Sequence, residues 1–275
     1  MTRTLEASKI RFINHHANNH RVEFFGIPVV DIPFHDFLAQ LEQHIIRRES
    51  THIVNLNPHH FLIAQKDDEF AEICHSGDIV FSDGIGINFG SILGKKIIQH
   101  RFTGLDIMKE LTALSADRGY SIYLLGGQDG IGRRCANNLQ KEYPSLAIAG
   151  VYEPPLANDI GLYDNDEIVR TINAAAPDIL FVALGAPKQE KWIERFRTAL
   201  EVPILMGVGG SFDILGGTFS RAPHWMRKAG LEWLYRLSLE PRRLASRYLL
   251  GIPHYLFLVL RLRFRGRKGR GFPQR

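Results

Sequence analysis

Residues 52–84, HIVNLNPHHFLIAQKDDEFAEICHSGDIVFSDG, decide the fold class of this 275-residue chain. The stretch opens with a short, mostly apolar run at 52–57 and closes with a second at 78–84, with a helical pattern at 58–77 between them. Mostly apolar runs without regular alternation are typical of strands that are buried on both faces. Strand, helix and strand in this order predict a parallel pair joined by a crossover helix.

The same alternation continues to about residue 210. Further strands are predicted at 121–127, 146–152, 178–185 and 203–210. Helices are predicted at 105–118, after 127 to about 142, and at 166–176 and 187–200, and a short hairpin is predicted around 22–32. The predicted fold class is therefore α/β: a Rossmann-like, doubly wound, mostly parallel sheet with helices on both faces.

The composition is that of an ordinary globular protein, but the charge is uneven. The chain is 45% hydrophobic and 23% charged, with a net charge of +5. Residues 236–275 contain eleven Lys or Arg and one acid, Glu240, so the rest of the chain is net negative. The two cysteines lie in helical patterns, which argues against a disulfide framework and fits a reducing compartment.

Three regions are predicted from these patterns. Residues 1–21 lack an apolar signal segment and are expected to be a flexible extension. Residues 22–217 form the α/β catalytic core, and 218–275 form a basic, amphipathic helical appendage. His15, His16 and His20 could bind a metal, but no carboxylate or cysteine accompanies them. Asp164-Asn165-Asp166 could hold a cation, but acids in the first turn of a helix explain this pattern better.

Ligands of open α/β sheets bind beyond the carboxyl ends of the strands. Five predicted strand-to-helix turns carry Gly, Pro or small polar residues, namely NLNP (55–58), SDGIG (82–86), LGGQDG (125–130), LGAPKQE (184–190) and GVGGSFD (207–213). Such turns let a phosphate approach backbone N–H groups. Five of them at one edge favour a nucleotide-like ligand, and the alternative is that each turn serves packing alone. The polar residues 188–190 are expected to face this crevice. Neither a G-x-G-x-x-G fingerprint nor a P-loop is present.

Asp83 is the strongest candidate for a catalytic group. It follows a buried strand at the predicted ligand edge, where a partly buried carboxylate can act as a general base. The alternative is that Asp83 caps the helix that starts near Gly84.

Eight blocks in order and spacing resemble the WecG/TagA/CpsF glycosyltransferases. They are NLNP, SDGIG, HRFTGLD (100–106), LLGG (124–127), LGAPKQE, GVGGSFD, RAPHW (221–225) and GLEWLYRLSLEPRR (230–243). The resemblance implies an inverting transferase that needs no metal or other cofactor. Its implied substrates are a UDP-sugar donor and a polyprenyl-diphosphate-linked saccharide acceptor of surface-polymer or teichoic acid synthesis.

The resemblance also implies roles for individual residues. Asp83 matches the general base, and appendage arginines match groups that close over the diphosphate. The catalytic set is thus Asp83, Arg236, Arg243 and Arg247. The predicted substrate-binding set is Asn55, Asn57, Arg101, Gly126, Gly127, Pro187, Gln189, Gly210 and Asp213.

The end of the chain predicts a membrane-surface element. YLLGIPHYLFLVL (248–260) is too short to span a bilayer, and six Lys or Arg follow within ten residues. Apolar surface beside dense positive charge suits the interface of an anionic membrane, whereas a nucleic-acid-binding tail has no use for the apolar run. We therefore expect a peripheral membrane protein, and the resemblance implies that it acts on the cytoplasmic face of the cell membrane.

Two other functions remain open at this stage. An NAD(P)-dependent oxidoreductase could use a Rossmann-like sheet, and a nucleotide-binding membrane adaptor would need no general base. The transferred sugar is open too, since N-acetylmannosamine, its uronic acid and glucose are all used by members of the family. A homo-oligomer is equally possible.

Overall fold

The computed structural model describes residues 20–94 and 96–265, except for the side chain of Arg265. Its centre is an eight-stranded sheet in the order β1-β2-β4-β3-β8-β7-β5-β6. The strands are β1 Arg21–Phe24, β2 Ile27–Val30, β3 Thr51–Leu56, β4 Ile79–Ser82, β5 Ser121–Gly126, β6 Ala147–Tyr152, β7 Ile179–Ala183 and β8 Ile204–Gly207. Only the β1–β2 hairpin is antiparallel among these paired strands. The predicted α/β class and hairpin are confirmed.

Helices follow most of the strands. They are α1 Phe34–Arg47, α2 Pro58–Ala64, α3 Asp68–Ser76, α4 Ile85–Gly94, α5 Gly104–Arg118, α6 Ile131–Glu142, α7 Asn165–Ala175, α8 Lys188–Phe196, α9 Ser211–Leu215, α10 His224–Lys228, α11 Glu232–Leu239, α12 Pro241–Ala245 and α13 Gly251–Arg265. A π-helical segment, Ser246–Leu250, joins α12 to α13.

One helix was predicted wrongly. The pattern at 58–77 forms two helices, α2 and α3, because Asp67 caps the second. Its carboxylate accepts from the backbone N–H of Phe70 at 3.0 Å, so the chain restarts a helix there. Helix α1 lies in a stretch for which the sequence analysis predicts no helix.

Helices cover both faces of the sheet, as a doubly wound fold requires. Side chains of β3 alternate between the two faces: Ile53 joins one apolar cluster, and Val54 and Leu56 join another. In β7 the same alternation sends Phe181 to the first cluster and Val182 to a third, which contains the buried Trp192. The core is therefore a buried sheet between two helical layers.

The C-terminal helices are packed against the core. Tyr255 and Val259 of α13 are buried in the same cluster as Phe24 and Phe61. The rings of Tyr255 and Phe61 meet edge to face at 5.8 Å. The boundary near residue 217 stays a prediction, but the appendage shares an apolar cluster with the core. Within the described ranges, no helix combines the length and hydropathy needed to cross a bilayer.

Candidate active site

A cavity of about 910 Å³ lies where neighbouring strands end. Strands β4, β3, β8 and β7 are adjacent and parallel, so their carboxyl ends meet at one edge. The turns after all four strands line the cavity, and residues of α11, α12 and the π-helical segment close it from the other side. The ligand edge predicted from the sequence is thus a real concavity in the described part of the chain.

Asp83 lines this cavity. Its backbone N–H donates to the carbonyl of Leu56 at 2.8 Å, which fixes it beside the end of β3. Its carboxylate accepts from the side-chain amides of Asn55 at 3.2 Å and Asn57 at 3.3 Å. The structure describes these amides, rather than N–H groups of α4, as its partners, so the helix-cap alternative is not supported.

Asn57 serves two neighbours with one amide. Its Oδ1 accepts from the backbone N–H of His60 at 3.0 Å and so caps α2. Its Nδ2 is thereby directed to Asp83. The cap explains why an amide, with an acceptor at one end and a donor at the other, fits this position.

Burial is the largest influence on the charge of Asp83. It raises the pKa of the Asp83 carboxyl above its usual range, and the two amide hydrogen bonds and the Arg247 guanidinium oppose it. The nearby carboxylate of Glu232 acts in the same direction as burial. A carboxylate held in this way is a stronger base than an exposed one.

Three predicted arginines, Arg236, Arg243 and Arg247, line the cavity. Glu240 pairs with two of them: its carboxylate oxygens lie 2.6 Å from the Arg243 guanidinium and 3.7 Å from that of Arg236. Arg247 is the most enclosed, and burial lowers its pKa, although a guanidinium keeps its charge in proteins. The described site therefore joins a half-buried carboxylate to a cluster of permanent positive charges.

The turn after β8 lets Arg236 of α11 come close to the loop backbone. A Cβ on Gly210 would lie 2.4 Å from Nη2 of Arg236, so a side chain here would displace the guanidinium from its present position. Gly209 adopts a φ of +47°, and its N–H donates to Gln189 Oε1 at 3.1 Å. The glycines of this turn thus bring an arginine and a backbone loop to one place.

The expectation that all three residues at 188–190 face the crevice is wrong. Lys188 donates to the carbonyl of Ala157 at 2.6 Å, away from the cavity. Gln189 lines the cavity, but its amide also bonds Glu190 Oε1 at 2.7 Å. Glu190 is fully buried, and burial raises its pKa to about 7.

The remaining predicted residues divide into two groups. Arg101 and Gly210 line the cavity, as Asn55 does, whereas Gly126, Gly127, Pro187 and Asp213 lie outside its lining. Close packing explains the glycines at 126 and 127: a Cβ on Gly126 would lie 2.4 Å from the carbonyl oxygen of Ala183, and one on Gly127 would lie 2.6 Å from the nitrogen of Gly132.

The carboxyl of Asp213 lies near Arg236 and Arg243. Burial raises the pKa of Asp213, and the two guanidinium groups act in the opposite direction. Binding roles for the second group stay predictions.

The Asp164-Asn165-Asp166 pattern starts a helix. Asp164 accepts from the backbone N–H of Glu167 at 3.1 Å, and Asn165 accepts from the indole of Trp192 at 2.8 Å. Among residues 20–94 and 96–265, no group of three potential His, Cys, Asp or Glu metal ligands is gathered.

Sequence reasoning missed Glu232 and His59, which both line the cavity. Glu232 accepts from Arg221 at 3.5 Å, and Arg221 also binds Asp106 of α5 at 2.5 Å. An acid among the arginines of the appendage was the available signal for Glu232. Burial lowers the pKa of His59 to about 4, so its ring is neutral at pH 7.

Comparison with known proteins gives this arrangement a family. The Glycosyl transferase WecG/TagA/CpsF family matches residues 22–269. An N-acetylglucosaminyldiphosphoundecaprenol N-acetyl-beta-D-mannosaminyltransferase of Bacillus subtilis is 34% identical, over 86% of this chain and 90% of its own length. Proteins of the same name from Bacillus spizizenii and Staphylococcus aureus are 30% and 25% identical, over 84% and 94% of this chain and 88% and 99% of their own lengths. The chain therefore belongs to the WecG/TagA/CpsF family of glycosyltransferases.

Proposed function

We propose that this glycosyltransferase moves an N-acetylmannosamine-type sugar from a UDP-sugar to a lipid-diphosphate-linked saccharide, with inversion at the anomeric carbon. One observation carries the proposal: a half-buried carboxylate and three arginines line a single cavity at the strand ends. The names of the relatives support N-acetylmannosamine as the transferred sugar and an N-acetylglucosaminyl lipid as the acceptor.

Asp83 is assigned as the general base. The acceptor hydroxyl gives its proton to the Asp83 carboxylate while its oxygen attacks the anomeric carbon of the donor. The bond from that carbon to the UDP oxygen breaks, and the electron pair leaves with UDP. Attack from the face opposite the leaving group gives inversion. The Asn55 and Asn57 amides keep the carboxylate directed into the cavity.

The arginines are assigned to the departing diphosphate. A guanidinium is permanently charged and can bind two phosphate oxygens at once, which suits the charge that develops on UDP. In the described structure Glu240 occupies two donors of Arg243. A diphosphate would compete with this carboxylate for the same groups.

The appendage is assigned to the membrane, on its cytoplasmic side. Arg261 and Arg263 are exposed on α13, and each cation near an anionic leaflet contributes roughly 1 kcal/mol to binding. Because the appendage also supplies cavity arginines, docking and catalysis would share one segment. The N-terminal histidines His15 and His16, considered as metal ligands, lie outside the described residues.

A turnover assay tests the proposal. Purified protein is given UDP-N-acetylmannosamine and an N-acetylglucosaminyl-diphospholipid, and UDP release and a disaccharide-lipid of the expected mass are measured. A panel of other UDP-hexoses serves as the donor control. Thermal shift separates the alternatives, because NAD(P) would stabilise an oxidoreductase, and an adaptor would bind a nucleotide without turnover. Absence of product with every UDP-sugar would refute the proposal.

A further inference from the structure

Helix α4 exposes an apolar face. Its sequence, IGINFGSILG, contains no charged residue, and its outward side chains Ile85, Phe89 and Ile92 are 41%, 52% and 57% exposed. These positions follow the i, i+4, i+7 spacing of one helix face. An exposed face of this kind in a soluble domain signals an interaction surface rather than core packing.

The polar side chains of α4 are turned inward instead. Asn88 accepts from Ser82 Oγ at 2.7 Å and donates to the carbonyl of Ile98 at 2.8 Å. Ser91 donates to the carbonyl of Asn88 at 2.7 Å and accepts from the N–H of Ile98 at 2.9 Å. The described outward face of α4 is left with apolar groups.

Helix α13 packs against α4 and carries a second apolar stripe. A Cβ on Gly90 would lie 2.0 Å from the Tyr255 hydroxyl oxygen, and this hydroxyl donates to the carbonyl of Gly86 at 2.9 Å. Phe257, Leu260 and Phe264 are 64%, 40% and 74% exposed at i, i+3, i+7 spacing. Two adjacent helices therefore both expose apolar stripes.

This surface continues into the cavity. Ile85, Phe89 and Leu250 are exposed and also line the cavity, so they lie at its rim. The three arginines belong to the same lining. The cavity thus has a charged part that suits a diphosphate and an apolar rim that suits a hydrocarbon chain.

We propose that the outward face of α4 lies in the interface of an anionic membrane beside α13, so that the cavity opens onto the bilayer. The membrane-contact surface is then formed by the core as well as the appendage. The acceptor's hydrocarbon chain leaves between Phe89 and Leu250 without crossing water. Exposed Arg261 and Arg263 beside the apolar stripe of α13 match the charge of anionic headgroups, which favours a membrane over a second protein copy. The route of the acceptor chain rests on the proposed function, whereas the membrane contact does not.

The test compares two neutral substitutions at exposed apolar positions. Ile92→Gln changes the outward face of α4. Leu162→Gln changes a 73% exposed residue of the short 3-10 helix Ile160–Leu162, which follows β6, the strand at the far edge of the sheet. Both full-length variants and wild type are sedimented with vesicles of equimolar phosphatidylcholine and phosphatidylglycerol. Ile92→Gln is expected to weaken vesicle binding about tenfold, and Leu162→Gln to leave it unchanged.

The outcomes separate the possible occupants of the face. Equal vesicle binding by wild type and Ile92→Gln would overturn the membrane assignment. Light scattering in vesicle-free buffer identifies the alternative: dissociation of a wild-type oligomer by Ile92→Gln, with vesicle binding unchanged, would assign the face to a second copy. Turnover of a short-chain, water-soluble acceptor is measured separately. If every protein, wild type included, lacks this activity, the proposed function fails while the vesicle result still stands.

Discussion

The side-chain amide of Asn57 joins the start of helix α2 to the carboxylate of Asp83. Its oxygen caps the helix at His60, 3.0 Å away, and its nitrogen lies 3.3 Å from Asp83 Oδ2. One residue thus caps helix α2 and donates to the Asp83 carboxylate, and substitutions can separate these two roles.

Asn57→Asp is expected to keep the cap of α2 and lose activity. An aspartate caps a helix about as well as asparagine, but it places a second negative charge against Asp83 in place of a donor. Asn57→Ala should lose both, with about 1 kcal/mol less stability from the missing cap. Urea unfolding and turnover measured on both variants check this. Equal activity in Asn57→Asp and wild type would show that the amide does not serve Asp83.

Glu232→Gln is expected to move the acidic limb of the pH–activity profile to lower pH. The Glu232 charge raises the pKa of Asp83, so removing the charge favours the ionised base at lower pH. The profile of kcat/KM against pH reports this group in the free enzyme. An unmoved limb, or one displaced to higher pH, would contradict the assignment of this limb to Asp83.

Arg243→Ala is expected to lower kcat about tenfold to hundredfold, because the leaving diphosphate loses one positive partner. Arg242→Ala is the matched control: it is the adjacent residue of α12, is exposed and lies outside the cavity lining. Its turnover should stay within about twofold of wild type, as for ordinary surface positions. Equal losses in both variants would mean that positive charge on α12 acts through the membrane and not through UDP.

Glu190→Gln is expected to flatten the dependence of stability on pH. Burial raises the pKa of Glu190 to about 7, so the folded state holds a proton that the unfolded state has lost above pH 4.5. This proton stabilises the folded state by at most about 3 kcal/mol. The stabilisation is fully present below pH 4.5 and is lost as the pH rises through about 7.

The measurement is the free energy of unfolding between pH 5 and pH 8. Wild type should lose stability relative to Glu190→Gln over this range. Glu142→Gln, at a side chain that is 49% exposed, serves as the control and should follow wild type. Parallel curves for wild type and Glu190→Gln would place the Glu190 titration outside this range.

The sheet and the centre of the cavity were predictable from local patterns. Parallel strands bring their carboxyl ends to one edge, so Asn55, Asn57 and Asp83 were expected to meet, and they do. The break between α2 and α3 was missed because the Asp67 cap interrupts a periodicity that otherwise continues.

Side-chain direction was less predictable than residue position. The rotation of α8 about its axis buries Glu190 and turns Lys188 toward Ala157, and tertiary packing sets this rotation. The outward face of α4 was missed for a related reason. An apolar helix is normally assigned to the core, and only the inward bonds of Asn88 and Ser91 reveal which side is exposed.

The central claim is that Asp83 removes the acceptor proton, and the turnover of Asp83→Asn under saturating donor and acceptor tests it most directly. The account predicts a kcat lower by about 10²–10⁴-fold with UDP affinity unchanged, since the amide keeps the shape but cannot accept the proton. Asp117→Asn, at a side chain that is 74% exposed, is the matched control and should turn over normally. Wild-type turnover by Asp83→Asn would contradict the account.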